Sequence, residues 1–281
     1  MEKLHIEKNT LQETLVIPLY ARKLCTEMYP NIYQDRSAEE LIGRLDYDFA
    51  SVAAKSGTLV QKFGALEIGM RENDLAMEIE DYLRIHPRAA VVSMGCGLDQ
   101  IGERCDNGQC RLYNLDLPDV IAVRNQLLPP GERTENLGVD MLDTNWFQRI
   151  DASQGAVFFG AGVFYYFHTE DLQELFNAMA EHFPGGRLVM DTCNKKGLKL
   201  MLKVVSKEAG IRDISGFFHV GDLNQDVRPW LRHAAASGRP YMLGYNDLQD
   251  PSVSRFFRFL ARTGDRRFGM QILRLDFDEK N

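Results

Sequence analysis

The stretch "RAAVVSMGCGLDQIGE", residues 88–103, decides the fold. Ala89 to Met94 is a short, mostly apolar run, the length of a buried strand and too short for a buried helix. Gly95 and Gly97 follow at once, and a polar run that can open a helix comes next. Glycine has no Cβ, so the backbone can bend sharply there and a ligand can approach closely. The helix after the turn would offer free N–H groups to that ligand. Strand, glycine turn and helix in this order form the shape that holds a nucleotide-like molecule.

The turn itself narrows the choice of ligand. A dinucleotide fingerprint needs a third small residue at position 100, and Gln100 stands there. Asp99 lies in the turn, where it would repel a pyrophosphate. A negative turn suits a ligand that carries positive charge.

From Ala89 onward, short apolar runs at 89–94, 111–115, 135–139, 156–160 and 187–191 alternate with helical stretches. One is "PDVIAVRNQLL". Another, "TEDLQELFNAMAEHF", has Thr169 as its predicted N-cap, with Leu172, Leu175, Phe176, Met179 and Phe183 at helical spacing. Such alternation predicts an α/β fold with a mostly parallel sheet covered on both faces, which binds ligands at the carboxyl ends of its strands. After residue 191, "KLMLKVVSKEAGI" reads as helix. "SGFFHV", "PYMLGY" and "MQILRLDF" read as strands, the last as a closing edge or hairpin strand. Residues 1–85 read as a helical N-terminal cap on an α/β domain of 86–281. "SAEELIGRLDYDF" opens with Ser37 and Glu40 in a capping-box pattern, and "RENDLAMEIEDYLRIHP" carries an apolar stripe that stops before Pro87.

Two further strand ends carry acids. Asp116 closes the second run in "LYNLDLPDVI", nineteen residues after Gly97, where a carboxylate can accept from both hydroxyls of a ribose. It can equally cap the helix that starts at Pro118. Asp140 closes the third run and is followed by Met141 and Leu142, an acid and an apolar pair that suit an adenine; a solvated turn residue is the plainer alternative. Amino acid, ribose and adenine in succession, with a sulfonium and an ammonium that tolerate Asp99, describe S-adenosylmethionine.

The whole chain sets outer limits. Its 281 residues are 44% hydrophobic, enough for a full core, and the formal charge of −7 lacks the basic footprint of a nucleic-acid binder. The longest nearly unbroken apolar run, 155–167, is too short to span a bilayer, and "MEKLHIEKNT" lacks an apolar signal core. The expectation is a cytoplasmic protein with a small-molecule substrate, no membrane or nucleic-acid partner and an undefined oligomeric state. The five cysteines, at 25, 96, 105, 110 and 193, form no CxxC, and Cys105 and Cys110 flank a hairpin-like turn. Reduced, space-filling thiols and no metal site are expected.

At "RLDYDF" (44–49), "VVSMGCGLDQIGER" (91–104), "LYNLDLPDVIAVRNQLLP" (112–129) and "LVMDTCNK" (188–195) the sequence resembles the leucine carboxyl methyltransferase-like and polyketide O-methyltransferase (TcmP-type) family. The pattern runs from about residue 14 to 277. The resemblance implies a class I methyltransferase fold with a helical N-terminal cap, and S-adenosylmethionine as cofactor. It implies that Arg71 clamps the methionine carboxylate and that Gly95 and Gly97 form the loop beneath the amino-acid part, the turn in which Asp99 also lies. Asp116 then matches the ribose acid and Asp140 with Met141 the adenine contact, and the neighbouring Leu117 and Leu142 complete the candidate cofactor-binding residues. After the fourth strand the family commonly carries a glutamate near the cofactor's amino group. This chain has Ala161 there, so one contact is missing.

The acceptor is expected over the ends of the fourth and fifth strands. Tyr165, Tyr166, His168, Asn194, Lys195 and His219 are the polar candidates, and no catalytic base is singled out. The expected activity is S-adenosylmethionine-dependent O-methylation of a polyketide-like carboxylate or phenol. A non-catalytic cofactor-binding protein, a protein carboxyl methyltransferase and a nicotinamide enzyme are the alternatives, the last opposed by Asp99 and Gln100.

Overall fold

All five apolar runs enter one seven-stranded sheet. The computed structural model describes residues 3–6, 13–53, 57–209, 216–241 and 247–279. In chain order the elements are β1 (Leu4–His5), α1 (Glu13–Met28), α2 (Arg36–Arg44), β2 (Leu45–Asp46), α3 (Ala50–Ala53) and α4 (Leu59–Ile85). Then come β3 (Ala90–Met94), α5 (Ile101–Arg104), β4 (Arg111–Asp116), α6 (Pro118–Leu127), β5 (Thr134–Gly138), β6 (Ala156–Gly160) and α7 (Thr169–His182). The chain continues through β7 (Arg187–Thr192), α8 (Lys195–Ala209), α9 (Leu223–Asp226), β8 (Ala234–Arg239), α10 (Arg255–Phe268) and β9 (Gln271–Phe277).

The sheet order is β5-β4-β3-β6-β7-β9-β8. Strands β3 to β7 are parallel, with Val91 opposite Leu112 on one side and Val157 on the other. The order reverses between β3 and β6, which places the switch point of the fold beside the glycine turn. Strand β9 runs antiparallel to both β7 and β8. "MQILRLDF" therefore lies inside the sheet, and the edge is "AAASGR", whose small residues carry little strand signal.

Strands β3, β6 and β7 are buried at every position because helices cover both faces. On one face α4 contributes Leu66, Met70, Leu75 and Ile79 to a core with Val91, Val157, Val189 and Ile272. On the other, α7 contributes Leu172, Phe176 and Met179 to a core with Val92, Phe158 and Met190. A smaller cluster joins Val16 and Leu19 of α1 to Leu98 and to Val123 and Leu127 of α6, and so ties the N-terminal helices to the glycine turn. Helix α4 belongs to the cap in sequence yet packs on β6, β7 and β9.

Several local expectations need correction. The cap of α2 is Asp35, whose carboxylate accepts from the Ala38 N–H, because the helix begins one residue before Ser37. His168, not Thr169, is the N-cap residue of α7. The turn between Cys105 and Cys110 joins a helix to β4, which runs parallel to β3, so it is no hairpin. Of "SGFFHV" the described residues, 216–220, form no strand, and most of "PYMLGY" lies outside the described residues. All five cysteines are buried and free, and among the described residues no cluster could hold a metal ion. No described helix is long and apolar enough to cross a membrane.

Candidate active site

The carboxyl edge of β3, β4 and β5 is made from backbone groups and short-range acids. Gly95 and Cys96 donate their N–H groups to the Leu115 carbonyl, at 2.8 and 3.0 Å, and turn the chain over the end of β4. Gly95 and Gly97 have φ of +69° and +47°, a region side chains rarely adopt. A Cβ on Gly95 would strike the Val163 side chain, and one on Gly97 would lie 3.1 Å from Leu15 Cδ2. The turn is thus wedged between the loop after β6 and helix α1.

Asp116 completes the turn. Its Oδ2 accepts from the Gly97 N–H at 2.7 Å and its Oδ1 from Leu117 at 2.8 Å. Burial raises its pKa, while these two N–H groups act in the opposite direction. Each carboxylate oxygen keeps accepting capacity for a further donor. The Asp116 carbonyl accepts from Val139, so the ends of β4 and β5 adjoin, and Asp140 lies on the same edge. Asp140 is exposed and accepts from the Leu142 N–H at 3.0 Å. Leu117 and Leu142 are 40% and 36% exposed, two large apolar groups left to solvent beside the two acids. Met141 is buried, and its carbonyl takes the Trp146 indole N–H.

Two buried arginines hold the turn from below. Arg22 of α1 donates to the Leu98 carbonyl at 2.8 Å and pairs with Asp35. Arg124 of α6 donates to the Gly97 and Asp99 carbonyls, at 3.1 and 2.7 Å, and pairs with Glu103. They satisfy carbonyls that the turn leaves without a ladder partner. The Asp99 carboxylate accepts from the Ile101 N–H, and burial pushes its pKa up to about 7 despite Arg124 nearby. No local pattern marks Arg22 or Arg124; only tertiary packing brings them here.

At β6 and β7 the edge is made of long-range side chains. Arg71 of α4 lies against Gly162, where an added Cβ would be 2.7 Å from its Nη1. It therefore stands over the loop after β6, whose next residue, Val163, lies against Gly95. Nη1 is 3.5 Å from Asp191 Oδ2 and the buried Nε has no partner. Burial works against the charge, yet Asp191, Tyr241, Glu72 and Tyr165 raise its pKa above the usual value. Asp191, near the end of β7, also accepts from the Gly162 N–H at 2.6 Å and the Tyr165 hydroxyl at 3.0 Å. One turn before Arg71, Glu67 has an unpartnered Oε1, and burial, with Asp265 nearby, pushes its pKa well up. Sequence reasoning assigned no role to Asp191 or Glu67. The signals were there: an acid inside the apolar run "LVMDT", and a glutamate at i−4 from Arg71.

The structure brings together the three segments that carry the polar acceptor candidates, 163–168 after β6, 193–195 after β7 and 216–220. Phe217 N–H donates to the Tyr165 carbonyl and Val220 N–H to the Cys193 carbonyl. His168 stacks on Phe217 with centroids 3.8 Å apart, and His219 Nδ1 is 3.0 Å from the Phe217 carbonyl oxygen. Tyr165 is buried, with its hydroxyl on Asp191, while Tyr166 is 38% exposed. Asn194 is occupied with structure: its Oδ1 accepts from Lys196 and Gly197 at the start of α8, and its Nδ2 donates to the Arg267 carbonyl. Lys195 is exposed, and Ala161 packs against the α4 core without a polar side-chain atom to offer.

A sheet in this order, with a glycine turn, a strand-end acid and helices on both faces, defines a class I methyltransferase fold. Solved structures agree. A putative methyltransferase from Thermobifida fusca YX superposes with a TM-score of 0.58 at 15% identity, covering 87% of this chain and 94% of that one. A duf574 family protein from Streptomyces avermitilis gives 0.57 at 14%, covering 90% and 99%.

The leucine carboxyl methyltransferase family model matches residues 20–180, more than half of the chain, and the chain belongs to that family. Its cofactor is S-adenosylmethionine. Tetracenomycin polyketide synthesis O-methyltransferase TcmP of Streptomyces glaucescens is 28% identical over 184 residues, 64% of this chain and 65% of the relative, so just under two thirds of the relative's length is matched. The residues present fit the cofactor: a half-buried guanidinium only loosely engaged by Asp191 for a carboxylate, a strand-end carboxylate with accepting capacity for a diol, and exposed leucines for a flat base.

Proposed function

We propose that this chain is an S-adenosylmethionine-dependent O-methyltransferase of a small molecule, a carboxylate or phenolic hydroxyl on a polyketide-like scaffold. The observation that carries it is the likeness to the tetracenomycin O-methyltransferase, together with an edge whose donors and acceptors follow the cofactor's parts in order. In this reading Arg71 takes the methionine carboxylate, and Gly95, Gly97 and Asp99 lie beneath the amino-acid part. Asp116 and Leu117 hold the ribose, and Asp140, Met141 and Leu142 the adenine. Ala161 faces the amino-acid part without a polar contact.

The cofactor supplies an electrophilic methyl on a sulfonium. The chain orients the acceptor oxygen in line with it and excludes water. A carboxylate acceptor arrives ionised at neutral pH and needs no base, whereas a phenol with a pKa near about 10 gains from one. Tyr166, His168 and His219 line the acceptor side in this reading, at the junction of the three segments. The stacking of His168 on Phe217 favours a flat, apolar acceptor surface there.

The test is transfer of labelled methyl from S-adenosylmethionine to a panel of aromatic acids and phenols. Label on the oxygen of one or more is expected. Label found only on protein carboxyl groups, or on no acceptor at all while cofactor binds, would overturn it.

A further inference from the structure

We infer that Asp191 is the positioning residue for the amino-acid end of the cofactor, an inference that rests on the proposed function. A carboxylate on this buried strand is costly unless donors meet it, and its three donors come from two places, the segment after β6 and helix α4. The donors are the Gly162 N–H at 2.6 Å, the Tyr165 hydroxyl at 3.0 Å and Arg71 Nη1 at 3.5 Å. Asp191 is 3% exposed.

The geometry divides its work. The short bond to Gly162 fixes the loop after β6 in its left-handed turn, φ +73°. The same loop carries Val163, which touches the glycine turn at Gly95. The long contact to Arg71 is weaker. A guanidinium held at 3.5 Å, with a partnerless Nε, is oriented by Asp191 without being consumed by it. Asp191 thus locks together the loop and the cation that would grip a ligand carboxylate. It touches neither the ribose nor the adenine side, where Asp116 and Asp140 stand.

The role predicts a selective defect. Asp191→Asn keeps an acceptor for Gly162 but turns an N–H₂ toward Arg71 and removes the charge that orients it. S-adenosylhomocysteine carries the amino-acid end; 5′-methylthioadenosine lacks it and keeps the nucleoside. By titration calorimetry on the full chain, Asp191→Asn should weaken S-adenosylhomocysteine about tenfold and leave methylthioadenosine, measured by competition, unchanged. Tyr165→Phe, which removes one donor from Asp191, should weaken S-adenosylhomocysteine alone by about threefold and serves if the first variant does not fold. Equal loss for both ligands, or no loss for either, overturns the positioning role while wild-type binding keeps the cofactor reading intact. Failure of the wild-type protein to bind S-adenosylhomocysteine overturns both.

Discussion

The two halves of the carboxyl edge are built by different means. Under β3, β4 and β5 the edge itself is made by short-range bonds, Gly97 to Asp116 across nineteen residues and Asp140 to Leu142 across two, and only its support, Arg22 and Arg124, comes from farther along the chain. Over β6 and β7 they are between strangers, with Arg71 and Asp191 separated by 120 residues and joined only because α4 lies on the sheet. The first half is backbone geometry, stiff and specified by glycine. The second is a buried charge network whose members depend on one another. A local turn tolerates nothing at its bends, whereas a network fails by degrees.

Breaking the turn should give the largest effect. Gly95→Val places a β-branched side chain at φ +69° and against Val163, which should cost roughly 3–5 kcal/mol and abolish binding of both S-adenosylhomocysteine and methylthioadenosine. Thermal unfolding and calorimetry measure the two losses; a variant that keeps either ligand would contradict the wedge described for the turn.

Substitutions that leave the backbone alone should separate the halves. Arg71→Met is expected to lower S-adenosylhomocysteine affinity by up to about a hundredfold and spare methylthioadenosine. Asp116→Asn is expected to weaken both ligands about tenfold, since both carry the ribose. Identical ligand profiles for the two variants would erase the distinction between the halves.

Asp99 sharpens the comparison through pH. Its folded-state pKa, about 7, lies above that of the unfolded chain, so the folded protein holds the extra proton between about pH 4 and pH 7. Stability from this group is present at the acid end and is lost as pH rises through that window. Asp99→Asn, which can still accept from Ile101, should flatten this part of the curve in urea titrations at pH 5 and pH 8. An unchanged slope would show that the buried turn feels no such cost.

The smallest effect should come from Asn194→Ala. Loss of the bonds to Lys196 and Gly197 should cost about 1 kcal/mol with no change in the affinity of either ligand. A change in methyl-acceptor KM without a stability loss would instead return Asn194 to the acceptor site.

Legibility in the sequence followed the same divide. The five parallel strands were readable because apolar runs of strand length alternate with helical stripes, and Gly95, Gly97 and Asp116 because they fall at successive strand ends in an order that matches one ligand. Strand β8 was not, because Ala234 to Arg239 has no alternation; its place comes from pairing with β9. Asn194 was legible as a polar residue after a strand, but not its bonds to the start of α8, which the sequence does not show. Asp191 and Glu67 looked like ordinary acids, and their meaning depends on which side chains are buried beside them. Arg22 and Arg124 carried no signal, since a charged residue on a helix is exposed by default.

The amino-acid order alone therefore determined the class of fold, the position of the glycine turn and the identity of its strand-end acids, because hydrophobic period and the special freedom of glycine act over a few residues. Tertiary structure alone decided that β9 lies inside the sheet, that Arg22 and Arg124 carry the turn, and that Arg71 meets Asp191 over Gly162. Those contacts join residues far apart along the chain, and burial, not local preference, makes them possible.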